Sequence, residues 1–394
     1  MATKGQNAYA SAQSVVEVGI ETTRGTAATK KFVFPVKSPK YKVDQAVIDD
    51  DTLQGTMVGV YNQVNGMRYD SDGWDSFPYL DAFPVLLRAE LGSADSLTTA
   101  AAATTLSTAA VAGATTIKTA VALAAGDWVV IGSGASLETH RVKSVVTTTA
   151  TLTFPLVHAQ AVGAAVKGLT AHSFSVLNSA GQGNQPPSCT LWDYDGEECR
   201  QLLASQLDEL TIKGNATGFV DYTCTWFANP AVKVTEPTPT LSSVPPPPGW
   251  TFTTSIDGTT LLTVETWQLD LKRGVKPIPA LTGSQEYYQY FAGPIQATGK
   301  LTFIEQATSP QITKFVTDSE GVFTFTLYDT TDGYALNLHS TKAKFKAAEI
   351  DRSQEWVRVT TTFQLLPSTT DAVTGGGGRS PIKATVANAT ATSF

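Results

Sequence analysis

The chain has 394 residues, of which 42% are hydrophobic and only 16% charged, with 31 Gly, 20 Pro and a formal net charge of −7. The hydrophobic fraction supports a folded core and argues against wholesale disorder. The charged fraction lies well below the roughly 25% of ordinary soluble domains, leaving the surface to Thr, Ser, Ala, Gly and Gln, as suits subunits that bury large areas against each other. The acidic balance argues against a protein that grips nucleic acid through its phosphates, which requires Lys and Arg to neutralise them. The polar segment from Met1 to Ala12 and the absence of any run of about 18 apolar residues predict neither a signal peptide nor a membrane span.

At about 100–200 residues per domain, the length predicts two or three domains. The first part opens with alternating strands, KKFVFPVKSPKYKV (30–43), followed by a Gly-bearing loop and strand, LQGTMVGVYNQVNGMRY (53–69). A short helix is expected from Trp74 to Leu91, WDSFPYLDAFPVLLRAEL, interrupted by two prolines. From 96 to 168 the composition shifts to Ala, Thr and Val. Here ATTIKTA, DWVVIGSG, ETHRVKSVV and TATLTF read as four short strands bounded by turn residues. Gly113 and the interspersed Thr and Val argue against an Ala-rich helix over 100–124. HSFSVLN and TLWDY follow as strands, then DELTIKG and GFVDYTCTWF as a hairpin turning at 215–218. Residues 235–250, TEPTPTLSSVPPPPGW, contain six prolines and read as a semi-rigid linker.

Beyond the linker the order repeats. TLLTVETWQLDLKRGV (260–275) leads through a Gly-Pro loop into TGKLTFIEQ (298–306). A helix is expected over SPQITKFVTDSEG (309–321), with Ser309 as N-cap and Pro310 at the first helical position. VFTFTLYD, a turn at 331–333, YALNLHS, KAKFKAAEI and EWVRVTTTFQLL then form an antiparallel meander. The shared order predicts an internal duplication. It divides the chain into a first β-domain (1–95 and 169–234), an inserted β-module (96–168), the linker (235–250), a second β-domain (251–370), and a Gly-rich linker with a C-terminal tail (371–394). Alternation is clearest over 321–329, where Phe323, Phe325 and Leu327 oppose Thr324 and Thr326.

No catalytic set emerges, and neither an enzyme nor a cofactor is expected. Three cysteines, Cys189, Cys199 and Cys224, do not make a disulfide framework and fit a reducing compartment. His140, His158, His172 and His339 are too scattered for a metal site. Ser133 in IGSGAS lacks the Gly-x-Ser-x-Gly elbow and reads as a turn. Asp49, Asp50 and Asp51 read as a solvated acidic loop, because successive strand side chains point to opposite faces and cannot converge on one cation. Asp70, Asp72 and Asp75 in YDSDGWDSF come nearer to a cation loop but lack the terminal bidentate Glu, so a turn leading into a helix N-terminus is preferred. Gly375 to Gly378 have no following GK[ST] and read as a flexible linker. Lys342, Lys344 and Lys346 share one strand face, which suits solvent or an inter-subunit salt bridge better than a nucleic-acid backbone. Tyr287, Tyr288, Tyr290 and Phe291 cluster beside the Gly293-Pro294 turn and read as anchors against a neighbouring subunit, with a carbohydrate platform as the rival.

The segment AGATTIKTAVALAAGDWVVIG…ETHRVKSV…TLTFPLVHAQAVGAAV resembles a small β-module inserted in phage structural proteins. Outside it, four segments carry a second resemblance: the polar arm with VVEVGIETTRGTAATKKFVFPV, the hairpin DELTIKGNATGFVDYTCTWFA, the pattern GKLTFIEQ…FVTDSEGVFTFTLYD, and the tail IKATVANATATSF. Together they resemble the tail tube proteins (major tail proteins) of bacteriophages with long, non-contractile tails. The resemblance implies a mainly β fold, a β-sandwich or flattened barrel with a short flanking helix, here duplicated in tandem. It implies sheets joined edge to edge into rings, which stack through long loops, here 43–69 and 273–295, to form a conduit for DNA during ejection.

With two copies per chain, three chains would make a pseudo-hexameric ring, in preference to six chains. Asp49, Asp50 and Asp51 are the candidates for an acidic lumen that repels phosphate within about 8–10 Å of the wall at physiological salt. Tyr287, Tyr288, Tyr290, Phe291, Lys342, Lys344 and Lys346 are the candidates for inter-subunit or inter-ring contacts. The insert should face outward. The implied partners are further copies of the chain and the tape measure, tail terminator and tail-tip proteins, in a virion assembled in the host cytoplasm. The alternative is a carbohydrate-binding, adhesin-like phage structural protein at the tail tip or capsid surface, which would use the insert and exposed aromatics.

Overall fold

Period-two alternation of apolar and polar residues dominates this chain and is realised as antiparallel sheet. In Asp221–Ala228 the side chains of Tyr222, Cys224, Trp226 and Ala228 are buried while Thr223 and Thr225 turn away. Arg358–Leu365 and Gln296–Ile304 alternate in the same way. A computed structural model describes residues 11–52, 54–55, 57–178, 183–235, 238–305, 317–353 and 355–394. Among these the fold is mainly β, with a single α-helix, Pro84–Leu91, and no helix long and apolar enough to cross a membrane.

The strand pairings show one unit built twice. In the first copy, neighbours run Phe32–Pro35, Val15–Ile20, Cys189–Tyr194, Cys199–Asn215, Asp221–Ala228, Asn62–Ser76, Lys42–Asp50. In the second they run Thr259–Leu261, Thr253–Ile256, Glu320–Tyr328, Ala335–Asp351, Arg358–Leu365, Gln296–Ile304, Val264–Lys272. Position by position, the spatial order and the order along the chain agree. Each copy also ends in a strand, Val232–Val234 or Lys383–Asn388, laid against the start of its long strand.

Even the irregularities correspond. Both long strands have 17 residues. Each slips register once against its preceding strand, where Ser205 and Leu202 or Ala343 and Ser340 are the partners. Each slips again two residues further on against its following strand, between Leu207 and Glu209 or between Phe345 and Ala347. Such bulges bend a strand, and here they lie where each long strand exchanges one pair of strand neighbours for another. At the first bend Ala204 adopts φ +52°, a costly conformation for a residue with a Cβ.

Glu21 holds that bend. Its buried carboxylate accepts from the Ala204 N–H (2.9 Å), the Thr190 and Ser188 hydroxyls (3.0 and 2.7 Å) and the Gly25 N–H (2.7 Å). Asp371 performs a similar task in the second copy, accepting from the N–H and hydroxyl of Thr341 at 2.8 Å each.

The copies are joined edge to edge. Glu209 to Asn215 of the first long strand pair with Thr266 to Lys272 of the second copy, reinforced across the strands by Lys272–Glu209 (3.2 Å) and Thr211–Asp270 (2.7 Å). The inner faces of both copies and the helix share one hydrophobic core, running from Val16 and Phe34 through Trp74, Leu86 and Trp226 to Phe323, Phe363 and Val386. The module between the helix and Cys189–Tyr194 has its own core, including Ile117, Val129, Val142 and Leu152. It rests on the second copy through Trp128 and Val130, which meet Tyr328, Ala335 and Ala387.

Several expectations are corrected. The helix starts at Pro84 rather than near residue 74, because residues 74–76 complete the strand Asn62–Ser76. It stops at Gly92, whose φ of +90° suits a glycine cap and whose N–H donates to the Arg88 carbonyl. YALNLHS and KAKFKAAEI form one bulged strand, Ala335–Asp351, rather than two. The flexible linker expected at Gly375 to Gly378 is a packed turn: Gly376 has no room for a Cβ beside Ser175 Oγ. The tail beyond it forms Lys383–Asn388, held between Ala165–Phe174 and Ala335–Asp351. The Pro-rich segment ends docked on the 215–220 turn through Val220 N–H to Pro247 O (3.2 Å) and Gly249 N–H to Gly218 O (2.7 Å). The expected second helix, with Ser309 and Pro310, falls mostly on residues 306–316, outside the described residues, and Glu320 and Gly321 at its far end belong to a strand.

Replacing Glu21 by Ala strands several buried donors at the bend and is expected to cost about 3 kcal/mol, measured by chemical denaturation. A loss below about 0.5 kcal/mol would show that the bend holds without it.

Candidate functional site

Two arms leave the body at equivalent places, one connecting Lys42–Asp50 to Asn62–Ser76 and the other Val264–Lys272 to Gln296–Ile304. The first spans 43–69. Its strands continue to pair beyond the sheet, Val47 with Asn65, Ile48 with Val64 and Asp50 with Asn62. Val47 and Ile48 point to opposite faces, and both are exposed, as are Val58, Val60 and Val64. The arm is therefore covered on neither side, and Met57 near its tip is fully exposed. The second arm, 273–295, carries the short pair Lys276–Ile278 and Gln289–Phe291 and a fully exposed Leu281. Contiguous exposed apolar side chains of this kind mark interaction surfaces.

The arms touch each other. Arg68 N–H donates to Gln285 O (2.8 Å), and Gln285 Nε2 donates to Asn65 O (3.0 Å). The Tyr69 ring meets Tyr287 edge-on at 5.7 Å. At the root of the second arm, buried Arg273 donates to the Glu90 and Leu91 carbonyls at 2.8 and 2.9 Å, so its guanidinium satisfies the end of the helix and fixes where the arm starts.

The four aromatics divide. Tyr290 has no exposure and packs with Val275 and Ala292 inside the chain, so it belongs to the core of the arm's root rather than to a contact surface. Tyr287 is half-buried against Tyr69. Tyr288 and Phe291 remain exposed. Among the lysines, Lys344 pairs with Asp318 (2.9 Å) and Lys342 approaches Glu320 (3.6 Å), both within the chain. Lys346 makes no ion pair among the described residues and sits at the bulge before Ala347.

Asp49, Asp50 and Asp51 lie toward the first arm's tip. Asp50 accepts from the Thr52 hydroxyl and N–H, which lowers its pKa and keeps it ionised. Ser133 precedes a one-turn helix, Gly134–Ser136, in the inserted module.

Asp70, Asp72 and Asp75 do not form a loop. They lie inside a strand paired to Asp221–Ala228, with Asp70 and Asp72 on one face and Asp75 on the other. Asp70 is buried between Arg68 (3.0 Å), the Tyr41 hydroxyl and the Ala231 N–H (2.8 Å). Asp75 accepts from the Thr223 hydroxyl. Asp72 is buried with Oδ2 unpartnered, and desolvation, reinforced by the Asp193 carboxylate, pushes its pKa up to about 8. No protein-family model matches the chain, and no curated protein does.

Folding raises the Asp72 pKa, so the folded state takes up a proton. This contribution to stability is complete below about pH 4 and is lost as pH rises through about 8. Asp72→Asn is therefore expected to be more stable than the parent at pH 9, with the gap closing toward pH 4 in parallel denaturation curves. An equal gap at both pH values would contradict the assignment.

Proposed function

We propose that the chain is the self-assembling subunit of a hollow tube of the bacteriophage tail-tube kind, a structural virion protein and not an enzyme. Three chains supply the six similar units of a ring. Rings stack through the paired arms, and DNA passes along the lumen into the host.

The observation that carries this reading is the duplicated unit joined edge to edge within one chain. The junction between copies is the kind of contact a ring repeats, and a head-to-tail contact of one surface with another either closes or propagates. The low surface charge and the exposed valines, isoleucine and methionine of the arms support burial between rings. Association of such surfaces draws on apolar area removed from water, at roughly 25 cal/mol per Å².

The mechanism is passive. Acidic groups such as Asp49, Asp50 and Asp51 act by repelling phosphate, so that DNA moves without adhering; their effect fades over about 8–10 Å. The inserted module, docked on the second copy, takes the outer wall. Tape measure, terminator and tip proteins are the partners such a tube requires.

Purified protein should form hollow tubes in negative-stain electron microscopy, and monomers at every concentration would contradict the reading. A variant with Val47→Ser, Ile48→Ser and Val58→Ser should keep its melting temperature and form separate rings without tubes. Tubes of unchanged length would show that the arms do not stack rings.

A further inference from the structure

Among the described residues the internal junction leaves two strand edges unpaired, and they are the equivalents of the two edges it joins. In the first copy, the long strand is paired on one side with Cys189–Tyr194 and then, beyond the bend, with the second copy's Val264–Lys272. In the second copy, the corresponding edge pairs with Glu320–Tyr328 only as far as Lys344. Past that point, residues 347–351 pair on their other side with Arg358–Leu365 and on this side with nothing among the described residues. The counterpart of Val264–Lys272 is the segment 38–44 of the first copy, whose strand Lys42–Asp50 pairs, among the described residues, only with Asn62–Ser76.

We infer that the edge at 347–353 of one chain pairs antiparallel with the edge at 38–44 of a second copy, in the register of the internal junction. The inference rests on the tube reading and names its ring contact.

The bulges align the two long strands, so Glu209, Thr211 and Lys213 correspond to Ala347, Glu349 and Asp351. Ser71 faces Phe227 and Thr298 faces Gln364, and these in turn face aligned residues of the two long strands, Gln206 and Lys344. The pairs Lys42 with Ser71 and Asp270 with Thr298 then align Asp270 with Lys42 and Gln268 with Lys40. Transferring the internal pairs Thr211 with Asp270 and Lys213 with Gln268 then sets Glu349 opposite Lys42 and Asp351 opposite Lys40. Both are opposite charges on directly facing residues, an arrangement favoured across antiparallel strands. The exposed Ile350 falls opposite Tyr41.

The hydrogen-bond phase also agrees. Arg273 N–H donates inward to Asp208 O at 2.8 Å, whereas Lys40 N–H turns away from the open edge to Gly73 O at 2.8 Å. Tyr41 and Val43 are thereby left to exchange main-chain bonds with the neighbour. Lys42 and Glu349 become a non-hydrogen-bonded pair, the kind with the closer Cα atoms. Lys42 already meets Asp44 on its own strand, and Glu349 is exposed.

Because Lys42 and Glu349 face each other closely, the double variant Lys42→Cys with Glu349→Cys should cross-link between chains under mild oxidation with copper phenanthroline. Non-reducing gels should show a ladder ending at three chains. The off-register control Lys42→Cys with Ala347→Cys should cross-link at least tenfold less; the native cysteines are all buried. Lys40→Glu with Lys42→Glu should stop ring formation while leaving the melting curve unchanged, and adding Glu349→Lys and Asp351→Lys should restore rings. Wild-type tubes without the in-register cross-link, or no rescue by the fourfold exchange, would overturn this contact and leave the tube reading standing. Wild-type protein that never leaves the monomer would overturn both.

Discussion

The pairing of Glu209 to Asn215 with Thr266 to Lys272 is the constraint on which the rest of this molecule depends. Together with the core that both copies share, it fixes two β-units joined by a proline-rich segment in one arrangement. Main-chain hydrogen bonds along this junction set one register. A slip by a single residue would turn the alternating core residues of both strands, Leu210 and Ile212 with Leu269 and Leu271, to the wrong face. The same junction sets the two arms side by side and places Arg273 where it reaches the helix end. The C-terminal strand closes the arrangement, lying between a strand that leaves the inserted module and the long strand of the second copy.

A long strand that exchanges its neighbours at bulges bends there, and bending leaves main-chain groups to satisfy. Buried carboxylates answer that need at both bends, Glu21 near Ala204 and Asp371 at Thr341. Their sequence positions differ, since Glu21 precedes its long strand and Asp371 follows the other. The two copies therefore solved one local problem with different side chains, which is consistent with a topology preserved while residue identity drifted.

Much of the strand layout was legible in sequence. ETHRVKSVV is the strand Glu138–Val146, and TLWDY lies within Cys189–Tyr194, because alternation and flanking turn residues are local signals. The order of elements was also enough to suggest duplication. The aspartates at 70, 72 and 75 misled, since spaced acids beside a glycine look like a loop until the partner strand is known to bury them. Tyr290 misled for the same reason: burial is decided by what folds back onto a residue, here Val275 and Ala292. The Gly run read as flexible because its packing partner, Ser175, lies far away in sequence. The open edges were not legible at all. Lys40, Lys42, Glu349 and Asp351 are ordinary surface charges until the bulges align the copies and show which internal pairs they mirror.

The central claim is that one chain contains two equivalent ring units whose internal junction is repeated between chains. A reconstruction of assembled particles that resolves individual strands tests it most directly. Three chains per ring are expected, with six similar β-units and residues 347–353 of each chain paired with 38–44 of the next. Rings of six chains, or rings in which those edges remain unpaired, would contradict it.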